Sequence, residues 1–110
     1  MEPTRLVRQQ REELVEVARG LLTGGQDRVV GCRRLVRLLA AIGLHEDKAF
    51  LELRGVESEL EEFPRGEVRA RTSREYLARL DREEKRYLAE VEEVILAACQ
   101  ELVERLSVPQ

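Results

Sequence analysis

From Glu67 to Val108 the sequence contains neither glycine nor proline, and this run limits the fold more than any other feature. Thr72 and Glu75 form a capping box at its start. Leu77, Leu80, Tyr87, Leu88, Val91, Ile95, Ala98, Leu102 and Leu106 then recur at spacings of three and four, as one apolar helix face requires. Glu84 is the one polar gap in that stripe. A helix of roughly 34 residues reaches about 51 Å. A compact chain of this length has a radius of gyration near ~13 Å and a diameter of about 34 Å. The helix must overhang its own domain unless it breaks. A second capping box, Asp81-x-x-Glu84, marks Leu80–Asp81 as the place for a break.

The overhang has a consequence. An apolar stripe left beyond the domain needs a cover, and a two-fold homodimer is the commonest one. The expected interface residues are Leu77, Leu80, Leu88, Val91, Ile95 and Leu102.

Three shorter helices precede the long one. Thr4 caps the first, over about residues 4–23, with Val7, Leu14, Ala18, Leu21 and Leu22 inward and Gly24-Gly25 as its end. Asp27 caps the second, which turns Val29, Cys32, Leu35, Val36, Leu39 and Ile42 inward and closes at Gly43. Gly31, in its first turns, calls for another helix close by. The third starts near His45–Glu46 and runs through Phe50, Leu53, Val56 and Leu60, with Gly55 a place for a kink. Phe63-Pro64 ends it, and Phe63-Pro64-Arg65-Gly66 suits a type I turn. Glu67-Val-Arg-Ala-Arg71 alternates charged and apolar, the pattern of an extended segment. Together these readings give an all-α fold, a four-helix bundle with a long C-terminal helix, in a single domain over residues 1–110.

Composition narrows the functional classes. Hydrophobic residues at 43% and charged residues at 37% suit a folded chain rather than a disordered one. The longest apolar run, Val94–Cys99, is far short of the roughly 20 residues of a membrane span, and no leader-like core follows the first residues. A cytoplasmic chain with no membrane partner is the expectation. Cys32 and Cys99 are too few for a zinc site or a disulfide framework, and read as buried core thiols. His45 is the only histidine. Phosphate-binding glycine loops and nucleophile elbows are missing, so no cofactor, no metal and no catalytic residue is expected.

Charge comes in blocks. Residues 1–43 carry +3, 44–64 carry −5, 65–86 carry +3 and 87–110 carry −4. Such alternation suits helices packed against oppositely charged neighbours. The outline of a helix-turn-helix over Leu35–Leu53 has a second helix that begins His-Glu-Asp-Lys and carries Glu52. Those acids would repel phosphates, so nucleic acid is not the expected partner.

The stretch from Ser58 to Arg69, with Glu59, Pro64 and Gly66, followed by Ser73-Arg74-Glu75-Tyr76-Leu77 and Ala98-Cys99, resembles a family of small bacterial proteins known only as a domain of unknown function. Gly31-Cys32-Arg33-Arg34-Leu35 is similar to it as well, so the resemblance covers about residues 29–104. It implies a small helical cytosolic protein and supplies no activity. Physically, the motif is a corner between two helices. Glu59 and Glu61 on one side could pair with Arg69 and Arg71 on the other and brace the loop. Alternatively, Arg69 or Arg71 could hold an anionic ligand that Glu59 orients. The expected role is a homodimeric protein–protein interaction or adaptor module with an unidentified protein partner. A small anionic-ligand binder or enzyme at Glu59, Arg69 and Arg71 is the alternative.

Overall fold

The computed structural model describes residues 3–107, so the outermost residues of the expected domain, 1–2 and 108–110, lie outside it. Five helices follow in order: α1 (Pro3–Thr23), α2 (Arg28–Ala41), α3 (Lys48–Leu60), α4 (Gly66–Arg71) and α5 (Arg74–Leu106). No strand occurs among the described residues. α1 packs on α2, α2 on α3, α3 on α5, and α5 back on α1, which closes a four-helix ring. Short connections make consecutive helices of such a bundle neighbours, and Gly24 and Gly43 supply two of the turns at φ +86° and +84°. The all-α bundle with a long last helix is the observed architecture.

The core is the set of inward stripes that the periodicity marks. Leu14, Leu35, Leu39, Leu53, Leu60, Ile95 and Leu102 are fully buried, with Cys32 and Cys99 among them. No polar or charged residue is buried with them among the described residues. Gly31 meets its expectation. A Cβ there would lie 2.7 Å from Leu21 Cδ2 and 2.9 Å from Gln26 Cγ, so α1 and its turn approach α2 closely.

Several local expectations are corrected. α1 includes Pro3 and Thr4, so Thr4 is not its cap; proline is tolerated in a first helical turn because it lacks only an N–H that has no partner there. α3 begins at Lys48, and Asp47 is its cap, accepting a hydrogen bond from the Ala49 N–H at 3.0 Å. His45 stays in the connection. Gly55 leaves α3 unbroken. Residues 67–71 are not extended but belong to α4, which buries no side chain. The alternation of charged and apolar residues there has no sheet to face. Ser73 rather than Thr72 caps α5, accepting from the Tyr76 N–H at 3.3 Å, while Thr72 Oγ1 donates to the Val68 carbonyl at 2.6 Å. The break at Leu80–Asp81 does not occur, because Asp81 is engaged by Arg69 and Glu84 by Arg65 rather than by backbone amides.

Candidate functional site: the arm formed by α4 and the start of α5

α5 has 33 residues, a length of about 50 Å at the usual helical rise. The described chain measures 52 × 30 × 25 Å, so α5 runs its whole long axis. The helix meets the bundle only from Tyr87 onward and is fully buried only in its second half. Ile95, Ala98, Cys99 and Leu102 are buried there, whereas no residue from Arg74 to Val94 is. The first turns of α5, with α4 beside them, form an arm outside the core.

This division corrects the expected interface. Ile95 is 1% exposed and Leu102 0%, both inside the core of their own chain, so neither can meet a partner. α1 and α3, which pack on α5, close the core around that part of the stripe. Leu88 and Val91 pack at the edge of the core. Leu77 and Leu80 lie on the arm, half-buried and outside the core cluster.

The expected Glu59–Arg69–Arg71 corner does not assemble. Arg69 sends both terminal nitrogens to the Asp81 carboxylate at 2.8 Å each. That hydrogen bond holds the Asp81 carboxyl below its ordinary range and raises the Arg69 guanidinium. Arg71 reaches only Glu67, at 3.8 Å, and Glu61 faces Arg54 at 3.8 Å. Glu59 is exposed and makes no ion pair or side-chain hydrogen bond among the described residues. Helix formation over residues 66–71 is the reason: it turns Arg69 to α5 instead of back to α3.

Arg65 was not legible as a functional residue, yet it fixes the corner. Its guanidinium grips Glu84 at 2.7 and 3.2 Å, and the Glu84 side chain is only 15% exposed. The polar gap in the apolar stripe is therefore filled by an ion pair from the connection before α4. Glu84's place within an apolar face was the available signal, since a carboxylate there needs a cation.

Two open hollows of about 320 Å³ each lie beside α5. One is lined by Leu21, Leu22, Ile95 and Leu96 and by the Arg28–Glu92 ion pair. The other holds Arg28, Arg65, Arg69 and Lys85 together with Asp81 and Glu84. Each of its three guanidiniums already has a carboxylate partner, so an anionic ligand there would have to displace one. Among the described residues no group of three or more His, Cys, Asp or Glu side chains could hold a metal ion. No helix of the described residues is long and apolar enough to cross a membrane.

The arm's charge has one further order. At 100° per residue, the side of the arm opposite Leu77, Leu80 and Glu84 carries Arg79, Arg82 and Arg86, all exposed, with Glu75 among them and Glu83 at the edge. None of the three arginines makes an ion pair among the described residues. Arg79 instead stacks on the Tyr76 ring at 4.9 Å. The +3 block contained this feature, but a block sum does not show that three arginines share a face.

Compared with known proteins, the chain matches no family model, no curated protein and no solved structure.

Proposed function

We propose that the chain is a self-associating protein–protein interaction module, a homodimer whose contact element is the arm. One observation carries this reading: twenty-one consecutive helical residues, Arg74 to Val94, contain no buried side chain, although the same helix is buried further on. Most helical stability in proteins comes from packing of an apolar face rather than from propensity. Leu77 and Leu80, with the exposed Tyr76 and Val68, are the arm's apolar contribution. A second copy covers it in the way a two-fold pair covers two identical patches at once. A cytoplasmic setting belongs to this reading, because both cysteines are free thiols. Sedimentation equilibrium tests it. Twice the chain mass of 12.7 kDa is expected at micromolar concentration, and a mass of one chain would overturn it.

A further inference from the structure

The arm's outer face has a counterpart on the same chain. Glu52 and Glu59 share one side of α3, Glu62 follows in the turn after it, and Leu51, Gly55 and Ser58 complete that side. From Lys48 to Glu62 this face holds three carboxylates and one cation, Lys48. Neither Glu52, Glu59 nor Glu62 makes an ion pair among the described residues. The carboxylates that Arg54 reaches, Glu57 and Glu61, lie on the other flank. Leu51 is 58% exposed in the same face.

Gly55 sits in the middle of it. A Cβ at Gly55 would meet nothing within 4 Å, so no contact inside the chain requires a glycine there, unlike Gly31. Glycine inside a helix is unfavourable relative to alanine. What gains from the missing side chain is another helix approaching from outside.

We infer that in a pair of chains the basic outer face of each arm lies across the acidic outer face of α3 of the second copy. This rests on the self-association reading and adds a second contact to it, on the side of each arm away from Leu77 and Leu80. The sizes agree: α3, with 13 residues, is about 20 Å long, and Arg74 to Arg86 spans about 18 Å. Three arginines and Glu75 meet three carboxylates and Lys48, so a net positive face meets a net negative one, and two-fold symmetry makes the contact twice. Ala78 of the arm lies one turn before Arg82 beside the arginines, so a small side chain meets the Gly55 saddle. The stems of the arginines cover Leu51, since long cationic side chains bury their methylenes while the head stays wet.

The test is a charge-reversal exchange read by sedimentation equilibrium, with circular dichroism to confirm folding. One chain carries Arg79→Glu, Arg82→Glu and Arg86→Glu; the other carries Glu52→Arg, Glu59→Arg and Glu62→Arg. Each alone should self-associate about tenfold more weakly or worse, because like charges then face each other. Mixed one to one they should pair at wild-type mass, since both contacts regain opposite charges. Added salt should weaken the wild-type pair. A milder Arg82→Gln chain, expected to lie between, replaces either reversal that fails to fold. A wild-type dimer that neither reversal changes rejects these faces and leaves self-association standing. A monomeric wild type rejects both. Reversed chains that stay apart on mixing, or a wild-type chain that binds a 20-nucleotide DNA through the arm as a monomer, also overturn the inference.

Discussion

Arg65 grips Glu84 with both terminal nitrogens, at 2.7 and 3.2 Å, and so ties the connection between α3 and α4 to the apolar face of α5. Arg65→Ala leaves a carboxylate that is 15% exposed without its partner. Water reaches the guanidinium, so the loss is below that of a fully buried pair, roughly 1–2 kcal/mol by urea denaturation. Hydrogen exchange should show the α4 amides losing protection first. Glu84→Leu, which completes the apolar stripe, should be close to neutral in stability but release α4 in the same way. Unchanged exchange in both variants would contradict the tie.

Asp47 both caps α3 and accepts two hydrogen bonds from Arg105, at 2.8 and 3.1 Å. The Arg105 hydrogen bond, chiefly, holds its carboxyl below the ordinary value of 3.8. A carboxyl depressed in the folded state contributes fully above its unfolded value. That contribution is lost as pH falls through the folded value. Asp47→Asn should therefore flatten the acid limb of a stability–pH profile below about pH 4. Asp47→Ala should cost about 1 kcal/mol at neutral pH from the cap alone.

Gly31 and Gly55 make a matched pair of substitutions. Gly31→Ala forces a Cβ against Leu21, which is 6% exposed and enclosed by the core, so α1 and α2 must separate. A loss of about 1–3 kcal/mol is expected by urea denaturation. Gly55→Ala meets open space and should stabilise the isolated chain by up to about 1 kcal/mol. The same substitution should weaken self-association. Equal effects at the two positions would remove the distinction between a close approach within the chain and an open face.

Cys32 and Cys99 are buried in the core, where desolvation pushes their thiols up to about 11 and about 12. At pH 8 both should resist iodoacetamide in the native chain and react within minutes in urea, as mass spectrometry would read. The raised values also set the alkaline limb. Above the ordinary value of 9.0 the unfolded chain releases thiol protons that the native chain keeps, so stability falls with rising pH. Rapid native labelling at pH 8 would contradict the burial.

Much of the fold was legible because apolar spacing states which side of a helix turns inward. Leu14, Leu35, Leu39, Leu53 and Leu102 were all marked by it and are all buried. Asp27 and Gly43 act locally as their residue types suggest. The segment 67–71 was misread because alternation is only meaningful beside a sheet, and Thr72 because its neighbour Ser73 offered an equivalent hydroxyl. The Glu59, Arg69 and Arg71 corner failed for a different reason. Opposite charges near a turn do not say which partner each will choose. Asp81, twelve residues further along the chain, took Arg69.

The sequence by itself determined that the last third of the chain is helical with one apolar stripe, since that depends only on residue types and their spacing; that no break falls at Leu80–Asp81 was decided by the structure. Nor did the sequence determine where along the stripe the core stops. That was decided by how far α1 and α3 extend beside α5, which buries Ile95 and Leu102 and leaves Leu77 and Leu80 on an arm. Periodicity is a property of one helix, whereas burial depends on which others lie against it.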